Sequence, residues 1–243
     1  MNLYTSLAHI YHDMYQDLFD YDAEFIFYDE WLTKFEARHI IEFGCGTVNL
    51  AKRFVAASYK YLGVDLNQEM LDIAKKTIEA TYFKQGNVIN FSPERKYDAA
   101  LITGRTISYL VTDDDVSGAL INIHKILKKD GLLIFDLIDA QPLFDPFDTS
   151  TKELFTKKYK RISRSIPRSD KRWTWDWEST YYEINDQAEP TCIGNDTATL
   201  RAFGDEEISE FLKNVGFDIL YKIPKTSYTW QDYFLVCKKI DGC

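Results

Sequence analysis

Two glycines and two carboxylates in the first third of the chain form a candidate ligand-binding motif. Gly44 and Gly46 stand in the run Glu42-Phe43-Gly44-Cys45-Gly46-Thr47, and Asp65 follows about 20 residues later. Glycine lets the backbone turn sharply and lets a ligand lie against bare main chain. A carboxylate at Asp65 can accept hydrogen bonds from both hydroxyls of a ribose. The motif predicts a nucleoside site, with an ordinary tight turn and a capping role for Asp65 as the structural alternatives.

Three details favour S-adenosylmethionine over a nicotinamide dinucleotide as that nucleoside. The dinucleotide fingerprint G-x-G-x-x-G lacks its third glycine here, because Asn49 stands at that position. Glu42 suits the cationic amino group of a methionine moiety and opposes a pyrophosphate. Asn87 and Val88, in the run Gln85-Gly86-Asn87-Val88, can bind the adenine amine and pack beside its ring. A nucleotide-dependent oxidoreductase is the competing interpretation, against which the glycine pattern and Glu42 both argue.

These residues follow short apolar runs that alternate with helical periodicity for about 100 residues. Such alternation indicates βαβ units and a parallel sheet with helices on both faces. Ligands of such sheets bind beyond the carboxyl ends of the strands. The predicted strands cover residues 39–43, 60–64, 80–84, 97–103 and 132–137, and the predicted helices cover 49–57, 67–80 (capped by Asn67) and 112–127.

Two segments flank this alternating core. Apolar spacings of three and four over residues 4–35 predict two helices with a break near Asp20-Tyr21-Asp22. In the second segment, aromatic and polar residues alternate from Trp173 to Tyr181, which is typical of an antiparallel strand, and Arg168-Ser169-Asp170-Lys171 is a candidate turn. The tryptophan row is either a core face or a wall against the substrate.

The predicted fold class is α/β, with a doubly wound, mostly parallel, seven-stranded Rossmann-like sheet, a C-terminal antiparallel hairpin and a small strand-rich insertion. The C-terminal part has a helix capped by Asp205, strands at 217–223 and 233–238, and a connection at 224–231. We expect a single domain over residues 1–243, divided into an N-terminal helical lid (1–36), a cofactor-binding core (37–140), the insertion on the substrate side (150–203) and the end of the core sheet (204–243).

Composition restricts the class of protein. A net charge of −9 argues against a surface devoted to nucleic acid. No apolar run reaches the roughly 18 residues that cross a bilayer, and residues 1–20 lack the pattern of a signal peptide. Four scattered cysteines (Cys45, Cys192, Cys237 and Cys243) predict neither a metal site nor a disulfide framework. We therefore expect a cytoplasmic protein without a membrane partner.

Five segments, in order EFGCGT, GVDLNQEML, QGNV, YDAALITGRTISYL and LKKDGLLIFD, resemble class I S-adenosylmethionine-dependent methyltransferases. They lie within residues 40–137, and the flanking helices and insertion extend the similarity to nearly the whole chain. The layout is most similar to small-molecule methyltransferases of the sugar N,N-dimethyltransferase type, a finer match that depends on architecture and on residues 106–110. The resemblance implies methyl transfer from S-adenosylmethionine to a small-molecule acceptor.

The resemblance also implies which residues bind the cofactor. The methionine and ribose part is lined by Glu42, Gly44, Cys45 and Gly46, and its methionyl end is faced by Thr103 to Arg105. The ribose hydroxyls and adenine are bound by Asp65, Leu66, Asn87 and Val88. Tyr11, together with Tyr15, closes over the cofactor.

Three positions depart from the pattern of that family. Val48 stands where many relatives have a third glycine, so that its side chain must fit between helix and strand. Asn87 replaces a more usual aspartate. Arg105 is long and cationic where relatives often carry small residues, and it suits either the cofactor carboxylate or an anionic substrate.

The substrate side offers weaker signals. Methyl transfer is an in-line displacement that needs a general base for an oxygen acceptor but not for a neutral amine. His12, Tyr109 and Asp136 are the catalytic candidates; an exposed or capping histidine and a structural hydrogen bond of Asp136 are the alternatives. The basic run at residues 157–172 is either a solvated strand pair or a site for a phosphorylated substrate.

Other functions stay open. They are a non-catalytic S-adenosylmethionine-binding protein and an RNA methyltransferase, the latter supported by the basic run and opposed by the acidic balance. The oligomeric state is open as well, a homodimer included.

Overall fold

The computed structural model describes residues 1–185, 188–225 and 230–240, whose strands form two sheets. The strands in chain order are β1 (His39–Phe43), β2 (Lys60–Asp65), β3 (Phe83–Gln85), β4 (Tyr97–Ile102), β5 (Leu127–Ile138), β6 (Lys152–Phe155), β7 (Tyr159–Pro167), β8 (Thr174–Asn185), β9 (Ala188–Arg201), β10 (Phe217–Lys225) and β11 (Asp232–Lys239).

Helices cover both faces of the larger sheet and close one end of it. They are α1 (Ala8–Leu18), α2 (Tyr21–Lys34), α3 (Ala51–Ala56), α4 (Gln68–Ala74), α5 (Asp113–Ile126), α6 (Ala140–Phe144) and α7 (Asp205–Val215). In the described parts of the chain, no helix combines the length and the apolar composition that crossing a membrane requires.

The larger sheet has seven strands in the order β10-β11-β5-β4-β1-β2-β3. Strands β1 to β5 pair in parallel, whereas β11 is antiparallel to both β5 and β10. This confirms the doubly wound, mostly parallel sheet with its C-terminal hairpin. The strand order reverses between β1 and β4, and ligands of such sheets bind at the crevice there.

The insertion forms a second sheet, in which β6, β7, β8 and β9 pair antiparallel in chain order. The predicted turn at residues 168–171 lies between β7 and β8, as expected. Alternate residues of β8 are buried, among them Trp175, Trp177 and Tyr181. Trp175 packs in a hydrophobic cluster with Ile138, at the end of β5, so the second sheet is fixed against the first.

The predicted break in the N-terminal helices is confirmed at Asp20. Its carboxylate accepts hydrogen bonds from the backbone N–H groups of Asp22 (3.1 Å) and Ala23 (2.9 Å), which caps α2. Tyr28 and Leu32, on the buried side of α2, pack against the sheet, while Ile10, on α1, packs in a cluster with Tyr181 of the insertion. The two helices thus connect the two sheets.

Two predicted helix caps differ from the structure. Asn67 occupies the capping position of α4, but its side chain makes no capping hydrogen bond with a described residue, and its backbone N–H donates to Asp65 at 2.9 Å. Helix α7 starts one residue earlier than expected, so that Gly204 occupies the capping position and its N–H donates to Glu207 at 3.3 Å. Asp205 is instead the first helical residue.

Two element boundaries also differ from the prediction. Helix α4 ends at Ala74, and a short 3₁₀ turn at Ala80–Tyr82 leads into β3. Strand β5 begins at Leu127 because Leu127 pairs with Tyr97, and the register shifts before the pairing continues at Leu132. The polar residues between them are exposed and interrupt the apolar pattern, which conceals the start of the strand.

Two predictions fall partly outside the described residues. The connection predicted at 224–231 includes residues 226–229, and Cys243 belongs to the last three residues, none of which the structure describes. The other three cysteines have free thiols, of which those of Cys45 and Cys237 are buried.

A buried ion-pair network ties the lid to the sheet. The ammonium of Lys225, at the end of β10, donates to Glu24 Oε1 of α2 at 2.6 Å and to Asp136 Oδ2 of β5 at 2.7 Å. The side chains of Lys225, Glu24 and Asp136 are 7%, 9% and 0% exposed. Two carboxylates therefore depend on one cation for their burial.

We expect Lys225→Met to lower the free energy of unfolding by about 3–5 kcal/mol, because removal of the cation leaves two buried carboxylates uncompensated. Urea denaturation near neutral pH measures this loss. Lys222→Met is the matched control on the same strand: Lys222 pairs with Asp205 through side chains 40% and 63% exposed, and its loss costs at most about 1 kcal/mol. Equal losses for the two variants would contradict the role of the network.

Candidate active site

A cavity of about 570 Å³ lies where the lid, the carboxyl ends of the parallel strands and the second sheet meet. Many of the residues predicted for the site line it together. They are Tyr11, Tyr15, Glu42, Gly44, Cys45, Gly46, Thr103, Arg105 and Tyr109. The fold therefore brings these predicted residues of the N-terminal helices, of β1 with its following turn, and of the segment after β4 to one cavity.

Glu42 is a buried carboxylate on the cavity wall. Its side chain accepts hydrogen bonds from Tyr61 Oη (2.6 Å to Oε2) and from Thr103 Oγ1 (2.7 Å to Oε1). Burial raises the pKa of Glu42 to about 7, although both hydrogen bonds act in the opposite direction. Adjacent strands supply the donors, since Glu42 pairs with Gly63 on one side and Leu101 on the other.

Gly63 makes this arrangement sterically feasible. A Cβ atom at Gly63 would lie 2.6 Å from Tyr61 Oη and 2.9 Å from Cys45 Sγ. Both distances are too short for any larger residue without a local shift. The absence of a side chain at Gly63 leaves the Tyr61 hydroxyl within reach of Glu42, an arrangement that the motif itself does not reveal.

The turn after β1 has the backbone conformation that glycine favours. Gly44 and Gly46 have φ angles of +74° and +59°. A Cβ atom at Gly44 would lie 2.0 Å from Thr106 Oγ1, so the segment after β4 packs directly on bare main chain. Val48, the departure from the family pattern, has a φ of +95° although it is β-branched. Its side chain is buried, and the packing offsets this strain.

Asp65 holds the glycine turn from the end of β2. Its Oδ2 accepts the backbone N–H of Gly46 at 2.9 Å, and burial raises its pKa. Of the described residues, the set that lines the cavity does not include Asp65, Leu66, Asn87 or Val88. Leu66 is exposed, whereas Val88 is buried, and the side-chain Oδ1 of Asn87 accepts from the Ile89 backbone N–H at 3.0 Å. The predicted adenine contacts therefore lie farther along the sheet edge.

Arg105 lines the cavity, and the buried carboxylate of Asp232 balances its positive charge. Its Nε and Nη2 both lie 2.6 Å from Asp232 Oδ2, and its guanidinium lies 5.3 Å from the centre of the Trp230 ring. Asp232, although paired in this way, has its pKa raised to about 6 by burial. The sequence alone suggests a cofactor carboxylate or an anionic substrate as the partner of Arg105, and the structure adds Asp232 as a partner within the protein.

The carboxylate of Asp136 is held by hydrogen bonds inside the protein. Its Oδ1 accepts the backbone N–H of Arg105 at 3.0 Å, its Oδ2 accepts from Lys225, and its side chain is fully buried. It does not line the cavity among the described residues. The structure thus favours a structural hydrogen bond over contact with the substrate.

His12 lies behind the cavity wall. Its Nδ1 is hydrogen-bonded to Thr47 Oγ1 at 2.8 Å, and its Nε2 lies 3.0 Å from Gln16 Nε2. Burial lowers its pKa. Thr47 lines the cavity and His12 does not, so any effect of the imidazole on a ligand passes through the Thr47 hydroxyl.

Tyr109 belongs to an aromatic group beneath the lid. Its hydroxyl lies 2.6 Å from that of Tyr4, and either one can be the donor. Tyr4 also packs edge-on against Tyr11, which stacks on Tyr15 at 4.1 Å between ring centroids. Burial raises the pKa of Tyr4 well above its ordinary value. The Tyr4 hydroxyl is therefore protonated near physiological pH.

The second sheet contributes residues that the sequence prediction missed. Arg161, Ser163 and Ser165 on β7 line the cavity together with Trp177 of β8. They share one face because alternate residues of a strand point the same way. The period-two pattern within the basic run is the sequence signal that distinguishes Arg161, on the cavity-facing side of β7, from its neighbours in the run. Trp177 fits the prediction of a wall, whereas Trp175 belongs to the core.

Five other lysines and arginines of the basic run pair with nearby acids. The pairs are Lys157–Asp17, Lys158–Asp13, Lys160–Glu153, Arg168–Asp170, Arg168–Asp176 and Lys171–Asp113. These exposed pairs fit the solvated strand pair predicted as one of two interpretations.

Comparison with known proteins adds the following. Residues 40–131 match the family model described as a methyltransferase domain. A putative methyltransferase of Bacillus subtilis, YqeM, is 26% identical over 207 residues, which cover 79% of this chain and 80% of that protein.

Solved structures share the whole fold. A crystal structure of an S-adenosylmethionine-dependent methyltransferase from Clostridium acetobutylicum superposes with a TM-score of 0.81 at 20% identity, covering 98% of this chain and 99% of that one. CalS10, an amino pentose methyltransferase from Micromonospora echinaspora solved with S-adenosylmethionine bound, gives a TM-score of 0.75 at 15% identity, covering 95% and 97%. The chain therefore has the methyltransferase Rossmann-like fold.

Burial of Glu42 predicts a specific dependence of stability on pH. The folded protein holds the Glu42 proton up to a pKa of about 7, whereas the unfolded chain releases it near 4.5. The stability that the protonated Glu42 contributes to the folded state is thus fully present below pH 4.5 and is lost as the pH rises to about 7. Relative to Glu42→Gln, we expect the wild-type free energy of unfolding to fall by about 3 kcal/mol across this window.

Urea denaturation of the ligand-free protein at several pH values measures this difference. The exposed acid Glu79 provides the control, because Glu79→Gln should give a curve parallel to that of the wild type. A constant difference between wild type and Glu42→Gln at all pH values would show that the carboxylate titrates normally.

Proposed function

We propose that this chain, a methyltransferase through its domain at residues 40–131, transfers a methyl group from S-adenosylmethionine to a small-molecule acceptor. The observation that carries the proposal is the buried Glu42 carboxylate, which faces a cavity beside a glycine turn. A buried carboxylate has a strong preference for a cationic partner. The ammonium of a methionine moiety is such a partner, and a pyrophosphate would be repelled.

The residues present fit the rest of this cofactor. Asp65 fixes the glycine turn through Gly46, and its remaining lone pairs can accept the two ribose hydroxyls. Leu66 is exposed beside it and offers an apolar surface for adenine, with Asn87 and Val88 next along the sheet edge. Gly104, at which a Cβ atom would meet no other atom within 4 Å, leaves room for the methionyl end.

The chain's own contribution to catalysis is alignment and exclusion of water. S-adenosylmethionine, when bound, supplies a methyl group activated by its sulfonium. The lid residues Tyr11 and Tyr15 cover one side of the cavity, and Trp177 of the second sheet covers another. An acceptor held between these walls is restricted in orientation, and such restriction favours in-line displacement.

The acceptor atom is nitrogen or oxygen, and one observation favours nitrogen. The Tyr4 and Tyr109 hydroxyls lie in the cavity wall, where they can orient an acceptor by hydrogen bonds. Because burial raises the pKa of Tyr4, the Tyr4 hydroxyl stays protonated near neutral pH and is a poor proton acceptor. A neutral amine attacks without a base, whereas a hydroxyl needs one.

We expect Glu42→Gln and Asp65→Asn each to weaken binding of S-adenosylhomocysteine by roughly 10- to 100-fold, since each removes a hydrogen bond to a charged group. Isothermal titration calorimetry measures the affinity. Glu79→Gln, an exposed acid outside the cavity, serves as the matched control and should bind as the wild type does. Heat with a nicotinamide dinucleotide and none with either sulfur nucleoside would exclude the proposal.

Turnover separates the acceptor classes. Formation of S-adenosylhomocysteine is measured with purified protein against small amines, small alcohols and an RNA transcript. Methyl transfer to a small molecule supports the proposal, and transfer to RNA alone would replace it with the RNA methyltransferase alternative.

A further inference from the structure

We propose that the acceptor carries an oxyanion, a carboxylate or a phosphate, and that Arg161 binds it on the cavity wall formed by the four-stranded sheet. This inference rests on the proposed function, because it names the class of acceptor for the same cavity. It concerns residues outside the part of the chain that matches the methyltransferase domain, which ends at residue 131.

The position of Arg161 is the first observation. Its side chain lines the cavity, yet the residue is only 3% exposed. The guanidinium carbon lies 5.0 Å from the centre of the Trp177 ring. A ring contacts the face of a guanidinium, whereas an oxyanion is bound by the N–H groups in its plane, so both contacts can form together. The guanidinium is thus held on the cavity wall with little exposure to solvent.

The neighbours of Arg161 are the second observation. Ser163 and Ser165 follow on the same face of β7 and also line the cavity, and Ser163 is buried. Two residues along a strand span roughly 6.5 Å, which places a hydroxyl donor within one small group of the guanidinium. A planar cation followed by hydroxyls suits the bidentate binding of a carboxylate or a phosphate.

The charges around Arg161 are the third observation. Arg105, the other guanidinium considered for an anion, is 2.6 Å from the buried Asp232. On β7 itself, Lys160 pairs with Glu153 at the surface, and Arg164 is exposed. Of the lysine and arginine residues in the run at 157–172, all of which the structure describes, Arg161 is the one that lines the cavity.

Glu42 and Arg161 then lie on different walls of a cavity that Glu24, Asp148, Lys152 and Glu153 also line. Glu42, at the end of β1, favours the ammonium of the cofactor, and Arg161, on β7, favours an anion on the acceptor. An acceptor anchored at Arg161 keeps its anion away from the Glu42 carboxylate. Its nucleophilic atom then lies in the space between the two sheets.

The test measures anion binding to the full-length protein saturated with S-adenosylhomocysteine. The probes are inorganic phosphate, pyrophosphate and acetate, titrated at constant ionic strength against chloride. Trp177 reports binding through tryptophan fluorescence, because its ring adjoins Arg161. The phosphate and acetate arms distinguish a phosphorylated acceptor from a carboxylate one.

We expect Arg161→Met to weaken binding of the preferred probe at least tenfold and Arg161→Lys to retain part of it. Arg164→Met removes an exposed cation three residues along the same strand and should leave the affinity unchanged. Calorimetry with S-adenosylhomocysteine shows whether each variant is folded; should Arg161→Met fail to fold, Arg161→Lys decides.

Three results would overturn the inference. They are wild-type anion affinity in a folded Arg161 variant, equal losses for the Arg161 and Arg164 variants, and no binding of any probe to wild type that binds S-adenosylhomocysteine. The last result leaves the proposed function intact, whereas failure to bind S-adenosylhomocysteine removes both.

Discussion

The Glu42 carboxylate is removed from water at the end of the first strand, and much of the surrounding structure compensates for that burial. Tyr61 reaches it from β2 and Thr103 from the end of β4, so the register of three adjacent strands determines its hydrogen bonds. These donors lower the cost of burial without removing it, since the pKa of Glu42 is still raised to about 7. A carboxylate held in this state binds a cation more strongly than it binds water.

Much of the seven-stranded sheet, its glycine turn and the N-terminal helices was predictable, because the sequence patterns that indicate them are local. The glycine turn, the strands around it and the break between the N-terminal helices at Asp20 each depend on residues a few positions apart. Local signals failed where they do not determine the hydrogen-bond partner: Asn67 occupies the capping position of α4, but the hydrogen bond formed there runs from its backbone N–H to the Asp65 carboxylate. The hydrogen bond between Arg105 and Asp232 joins residues 127 positions apart, and no periodicity reports such a contact.

The cavity wall formed by the second sheet was predicted less completely, because its position depends on packing between distant parts of the chain. Strand periodicity places Arg161, Ser163 and Ser165 on one face, but only the packing of β7 against the other elements decides that this face lines the cavity. The same packing divides the tryptophan row, because Trp175 meets Ile138 in the core and Trp177 meets the cavity. The match to the methyltransferase domain covers residues 40–131 and so does not include the second sheet.

The division between two sheets has an evolutionary consequence. The cavity-facing side chains of β7 are attached to a sheet whose backbone hydrogen bonds are its own, separate from those of the seven-stranded sheet. Under the proposed function, substitutions at such positions would alter which molecule is accepted without disturbing the strands that hold Glu42. Specificity would then diverge while the residues proposed to bind the cofactor stay the same.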